Sequence, residues 1–405
     1  MKHIIILGDG MADEPCVALD GQTPLEAAHT PALDELARRG RCGLLATVPP
    51  GFQPGSEIAH LSLLGYSLPE VFEGRGTLEA ASMGVDIAPD EMAMRCNLIC
   101  ISPDGTIKNH SAGHISTAES DELIGYLNEK LSDGRCSFFT GVSYRHLLKV
   151  RNADKRIDCT PPHDVPGTSA EDVMPKPLLH AAGETADYIS RLIRESQRLL
   201  ADHPVNLKRI KEGKDPANSI WPWSPGYKPA MKTMQELYGI GKGYVISAVD
   251  LIRGLGVYAG LEPIIVEGAT GLYDTNYEGK LQAALDALKG DADFVFLHIE
   301  ASDEAGHEGD ALLKRKTVEY LDHRVVGPLL KALEDFDEEV AVALLPDHPT
   351  PCHIRTHTSS PVPFVIWRKD IEPDEVSIYT EKSAEAGAYG LLEGDQFIKE
   401  FFKVS

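Results

Sequence analysis

Asp293-Phe294-Val295-Phe296-Leu297-His298, followed shortly by Asp303-Glu304-Ala305-Gly306-His307, reads as an apolar strand feeding a cluster of metal-ligand residue types. A second run of this kind, Val340-Ala341-Val342-Ala343-Leu344-Leu345, leads into Pro346-Asp347-His348-Pro349-Thr350-Pro351, with His357 beyond it. A third, His3-Ile4-Ile5-Ile6-Leu7, ends in Gly8-Asp9-Gly10. Near-continuous apolar runs mark strands buried on both faces, as in parallel sheets. Three such strands, each ending in a carboxylate, point to one metal site at the C-terminal edge of a parallel sheet. Open α/β folds place their chemistry there.

Outward from these strands, the first half of the chain predicts a helix near 30–38, with Pro31 as a start signal and Gly40 as a stop. A rigid Pro/Gly loop over 49–56 then runs into a helix over 57–64 that has Ser56 at its start. From about 84 to 227 the texture changes to α+β. Strands are predicted near 95–101 and 137–150, and helices over 117–131 and 184–200. Trp221-Pro222-Trp223-Ser224-Pro225-Gly226-Tyr227-Lys228-Pro229 reads as a hinge or crossover. After it βα alternation resumes, with one long helix expected over 311–333 and an edge-like strand over 361–367. The fold class is therefore α/β: a mostly parallel sheet flanked by helices, formed by 1–83 and 228–405, with a smaller α+β domain over 84–227 inserted.

The 405 residues exceed one compact core, so two domains are the default. The composition, 42% hydrophobic and 25% charged, is that of a globular protein. A formal net charge of -23 argues against nucleic acid and anionic membrane as partners. Seven scattered cysteines with no Cys-x-x-Cys pair read as reduced structural thiols of a cytoplasmic protein. The N-terminal apolar run is too short for a signal peptide's core or a spanning helix.

Asp303 and His307 are one helical turn apart and share a face, so they suit one ion; helix capping plus a surface His is the alternative for an isolated Asp-x-x-x-His. An adjacent Asp347-His348 at a strand end is not explained by core packing, because charges are rarely buried unpaired. With Asp9 and His357 there are ligands enough for two metals, and mixed His/carboxylate ligation suits Zn or Mn more than Ca. A metal pair about 3.5–4 Å apart is the usual device for displacement at phosphorus. Ser56 has two readings: a helix N-cap, or a nucleophile facing an anion at a helix N-terminus, activated by a nearby cation. No Gly-x-Ser-x-Gly elbow, Walker loop or Gly-x-Gly-x-x-Gly occurs.

Gly8-Asp9-Gly10-Met11, Gly55-Ser56-Glu57-Ile58-Ala59-His60-Leu61-Ser62-Leu63-Leu64-Gly65-Tyr66, Gly74-Arg75-Gly76, Trp221-Pro222-Trp223, Asp303 to His307, Asp347-His348 and His357 occur in this order. The chain thus resembles the archaeal-type cofactor-independent phosphoglycerate mutases of the alkaline phosphatase superfamily, over essentially its whole length. The resemblance implies an alkaline-phosphatase-like sheet domain, two divalent ions (Mn, Zn, Co or Mg) and a phosphoserine at Ser56. It implies one metal on Asp9, Ser56, Asp347 and His348, and the other on Asp303, His307 and His357. The partner it implies is a small phosphorylated metabolite, 3-phosphoglycerate or 2-phosphoglycerate, with the inserted domain holding the sugar acid between transfers.

Within that domain Asn109-His110-Ser111-Ala112-Gly113-His114 resembles the family's substrate loop, and His114 is the candidate for proton transfer. A residue beside a capped helix start is its other reading. Arg145 suits a carboxylate or phosphate, or a solvated strand face; Arg75 and Lys228 are further anion-binding candidates. Relatives of this type often carry Arg where this chain has His114. A bacterial branch of the family is proposed to phosphorylate homoserine with ATP, and that acceptor stays open; water as acceptor, in a phosphatase, is opposed by the inserted domain, because a hydrolase does not need a second domain to re-present its acceptor.

Overall fold

A computed structural model describes residues 1–403. The chain forms two compact units: Met1–Phe72 with Met231–Ser405, and Glu73–Ala230. The helix Arg75–Ser82, which the sequence reading places before the junction, packs on the strands Glu91–Ile101 and Ser219–Gly226 of the second unit.

The first unit is built on an eight-stranded sheet. Its order is Glu262–Pro263, Gly243–Ile246, Phe294–Ile299, Lys2–Gly8, Val340–Leu345, Val362–Trp367, Arg41–Ala46 and Leu391–Glu393. The pairings are parallel except those made by Val362–Trp367, which runs antiparallel to both neighbours. The three apolar runs lie side by side at the centre, every residue of Phe294–Ile299, Lys2–Gly8 and Val340–Leu345 being buried. Ile4, Ile6, Val295, Leu297, Val342 and Leu344 form one face and pack against helix residues such as Leu33, Leu281 and Val318.

Three expectations are corrected. Val362–Trp367 is an interior strand, because Arg41–Ala46 and Leu391–Glu393 extend the sheet beyond it. Arg41–Ala46 has little alternation to announce it. The helix expected over 311–333 is divided into Ala311–Leu321 and Gly327–Leu333 by a π-helical turn, Asp322–Val326. That turn aims Asp322 Oδ1 at the Ala32 and Leu33 N–H groups, each 2.8 Å away, and so caps the helix Pro31–Arg39. The stretch expected as a hinge forms the strand Ser219–Gly226, antiparallel to Glu91–Ile101. It pairs on one side only, which tolerates Pro222 and Pro225. Trp221 and Trp223 are buried there and donate their indole N–H groups to the Thr160 carbonyl and Asn97 Oδ1.

The second unit holds a five-stranded sheet. Ile107–Asn109, Glu91–Ile101, Arg145–Arg151 and Cys136–Phe139 lie in that order, and Ser219–Gly226 joins Glu91–Ile101. The helices Thr117–Leu131 and Gly183–Leu200 contribute Leu123, Leu127, Ile189 and Leu192 to its core. All seven cysteines are free thiols, and no helix among the described residues is long and apolar enough to cross a membrane.

Candidate metal and phosphoryl-transfer centre

Strand register brings the ligand candidates to one edge. Leu7 pairs with both His298 and Leu345, so Asp9, Glu300 and Asp347 leave the sheet together. Gly10 has φ +58°, and a Cβ there would lie 2.5 Å from both Asp303 Oδ1 and Thr350 Oγ1. Only glycine permits that approach. It lets the Gly10 N–H donate to Asp347 Oδ1 at 3.0 Å. Asp303 and His307 share a face of the helix Ala301–Glu308, with His307 Nε2 3.2 Å from Asp303 Oδ2. His357 Nε2 lies 3.0 Å from His307 Nε2 and 3.5 Å from Asp303 Oδ1. His348 Nε2 lies 3.1 Å from Asp347 Oδ2 and 3.7 Å from Asp9 Oδ1.

Ser56 is the first residue of the helix Ser56–Leu63, and Gly55 occupies the N-cap position. The Ser56 hydroxyl lies 3.3 Å from His348 Nε2. All seven metal-ligand candidates therefore fall in one cluster of the first unit.

The cluster has the character of an ion site. Asp9 Oδ1 and Asp347 Oδ2 are buried with no hydrogen-bond partner, an expensive condition for carboxylate oxygens unless a cation meets them. The His307 and His357 Nε2 atoms face each other across 3.0 Å. Two sets, Asp9 with Asp347 and His348, and Asp303 with His348 and His357, each bring their ligand atoms within 4.8 Å of one another. Carboxylate and imidazole donors in this mixture suit Mn- or Zn-class ions. The residues fit a pair of divalent metals, with His348 at the meeting point of the sets and His307 beside the second.

Charge is divided unevenly over the cluster. Burial, together with Asp347 and Asp303, raises the Asp9 carboxyl well above the usual range. Burial would also raise Asp303, but its contacts with His307 and His357 outweigh that and hold it well below the usual range. The same contact with Asp303 raises His307 to about 9.

Behind Asp9 lies a buried layer that the ligand pattern alone does not reveal. His298 Nε2 is 2.9 Å from Asp9 Oδ2, and its Nδ1 is 3.2 Å from Glu300 Oε1 and 3.0 Å from Ser247 Oγ. Lys280 closes the row by an ion pair with Glu300 and donates to the His298 carbonyl at 3.1 Å. Burial opposes the charge on His298, yet its two carboxylate neighbours raise it to about 10. One sequence signal existed: Lys280 stands on the apolar stripe of the helix Tyr277–Lys289, between Tyr277 and Leu281, Ala284 and Leu288. His60, Thr350 and the Lys314–Asp13 pair, at 2.7 Å, are further buried supports of this edge that the sequence reading passed over.

The remaining candidates belong to the second unit. Ala112, Gly113 and His114 all have positive φ, +48°, +65° and +53°, which is unfavourable for Ala and His. Asn109 Oδ1 accepts from the Ser111 and Gly113 N–H groups, and Arg209 donates to the Ala112 carbonyl. This bracing holds His114 exposed beside the Tyr144 ring. Ser116 caps the helix Thr117–Leu131 through a capping box with Glu119.

Arg145 opens its strand, exposed, with its guanidinium over Tyr144. Arg95, absent from the sequence reading, sits over Trp223 and pairs with Glu79 at 2.9 Å. Burial lowers its pKa, and the nearby charges of Arg75 and Arg145 add to that. His110 and His163 continue the aromatic row, with centroids 5.6 Å from Tyr144 and 5.2 Å from Trp223 respectively. Lys228 is instead paired with Asp86 at 2.7 Å on the surface.

A family model described as 2,3-bisphosphoglycerate-independent phosphoglycerate mutase matches residues 37–206. The 2,3-bisphosphoglycerate-independent phosphoglycerate mutase of Methanosarcina acetivorans is 50% identical over 406 residues, covering 100% of both chains. A protein of Geobacter sulfurreducens named as a probable enzyme of the same kind is 48% identical, over 98% of each chain. Among solved structures, a cofactor-independent phosphoglycerate mutase from Thermoplasma acidophilum superposes with a TM-score of 0.70 at 28% identity, over 100% of this chain and 99% of its own. A Pyrococcus horikoshii protein superposes with a TM-score of 0.83 at 29% identity, over 99% of this chain and 96% of its own.

Proposed function

Because the chain belongs to the 2,3-bisphosphoglycerate-independent phosphoglycerate mutase family, we propose that it interconverts 3-phosphoglycerate and 2-phosphoglycerate through a phosphoserine at Ser56. The observation that carries this reading is the Ser56 hydroxyl, at a helix N-terminus and 3.3 Å from His348 Nε2, inside a cluster of three aspartates and three histidines. Backbone N–H groups at that helix end favour a phosphoryl group.

Asp9, Ser56, Asp347 and His348 would hold one divalent ion, and Asp303, His307 and His357 the other. Bound there, such ions neutralise phosphoryl oxygens and lower the pKa of the serine hydroxyl. Ser56 Oγ, as the alkoxide with its proton already lost to solvent, forms a bond to phosphorus as the glycerate oxygen leaves, and it is released again as the alkoxide when the phosphoryl group moves on. That oxygen takes a proton from His114. The glycerate is then presented by its other hydroxyl, which returns a proton to His114 as its oxygen takes the phosphoryl group from Ser56. No external phosphoryl donor is consumed.

The second unit is the substrate-binding unit in this account. Arg145 and Arg75, with Arg95 behind them, supply positive charge for the carboxylate and phosphate.

A paired assay of Mn²⁺-loaded protein tests the reading. Conversion of 3-phosphoglycerate to 2-phosphoglycerate without added 2,3-bisphosphoglycerate is expected, with no ATP consumed in the presence of homoserine. Homoserine-dependent ATP turnover without mutase turnover would overturn the choice of substrate.

A further inference from the structure

The helix Ser56–Leu63 begins without a side-chain cap, because Gly55 holds the N-cap position. One turn along, His60 is wholly buried, and its ring turns back towards the helix start. Its Nδ1 lies 2.7 Å from the Ser56 carbonyl oxygen and 3.5 Å from Asp347 Oδ2. A carbonyl oxygen only accepts, so the hydrogen of the neutral ring is on Nδ1. That leaves Nε2 as an acceptor, buried and without a hydrogen-bond partner, on a ring packed edge-on against Phe296.

An unpartnered buried nitrogen destabilises a core, and a hydrocarbon side chain of similar size would avoid it. Packing therefore gives no reason for a histidine here, whereas the Nδ1 side does. We propose that His60 is a positioning residue for the nucleophile. Its Nδ1–H anchors the main chain of Ser56, and so sets the Ser56 hydroxyl in line with Asp347 and His348. Nothing in this role requires contact with substrate.

The inference rests on Ser56 being the nucleophile, and a comparison of three substitutions tests it. His60→Asn places an amide N–H where Nδ1 stood. His60→Gln places one near the Nε2 position, away from Ser56. His60→Leu fills the apolar space and provides neither. His60→Asn is expected to keep kcat within about tenfold of wild type. His60→Gln and His60→Leu are expected to lose about 10–100-fold in kcat, with KM little changed. Affinity for Mn²⁺ alone, measured by calorimetric titration, should weaken in the same order, since Asp347 shares the Nδ1 edge.

Equal kcat for the Asn and Gln variants, or losses that merely follow melting temperature, would overturn the proposal. A stable His60→Leu protein with wild-type kcat would do so alone, even if His60→Asn failed to fold. Absence of mutase turnover in the wild type would instead sink the functional reading, and the Mn²⁺ titrations would still judge His60.

Discussion

Ser56→Ala is expected to lose mutase turnover by about 10,000-fold or more, the scale seen when a nucleophile that forms a covalent intermediate is removed. The same substitution should leave the fold standing. Ser56 is not the N-cap of its helix, and alanine is the better helix former. Its hydroxyl contributes the 3.3 Å contact with His348 and no capping bond to the structure. Steady-state turnover and a thermal melt on the same preparation separate the two effects. Retained turnover in a well-folded Ser56→Ala protein would remove Ser56 from the mechanism.

Metal removal should have the second largest effect, on stability as well as activity. Asp9, Asp303 and Asp347 converge within one buried cluster, and Asp9 Oδ1 and Asp347 Oδ2 have no hydrogen-bond donor. Cations that bind only the folded site stabilise by about 2.7 kcal/mol at one hundred times their Kd. Stripping them with a chelator should lower the melting temperature by about 5–10 °C and abolish turnover, and Mn²⁺ should restore both.

The effect has a definite pH sign. Burial and the neighbouring carboxylates raise Asp9, and Asp303 raises His307 to about 9. His307 therefore holds a proton at neutral pH in the absence of metal, and a cation must displace it, while the raised Asp9 carboxyl adds to the cost of ionising the cluster. Affinity for Mn²⁺ should rise with pH towards about 9 as the His307 proton is lost, with protons released on binding. A pH-independent affinity, or an unchanged melting temperature after complete metal removal, would contradict a preformed pair of sites.

The legible parts of this chain were those in which a local pattern and the global fold agree. The three central strands are buried on both faces, so their apolar runs stand out and the carboxylates at their ends mark one sheet edge. Asp303 and His307 were legible because helical spacing alone sets them on one face. Arg41–Ala46 was not, since its short mix of Arg, Cys, Gly, Leu and Ala carries neither alternation nor a continuous apolar run. Trp221-Pro222-Trp223 carries turn residues, yet tertiary burial of two indoles makes it a one-sided strand. The contacts of His60 with Asp347 and of His298 with Asp9 join segments hundreds of residues apart, which spacing along one segment does not disclose. Lys228 was chosen for its charge, and Asp86, distant in sequence, engages that charge.

Trapping the enzyme in turnover tests transfer through Ser56 directly. Mn²⁺-loaded protein would be mixed with 3-phosphoglycerate carrying labelled phosphate and quenched in denaturant within a few milliseconds. Peptide mass spectrometry would then locate the label. Phosphate is expected on Ser56, chased into 2-phosphoglycerate and 3-phosphoglycerate when unlabelled substrate is added before the quench. Label on another residue, or rapid mutase turnover that leaves no label on the protein, would contradict transfer through Ser56.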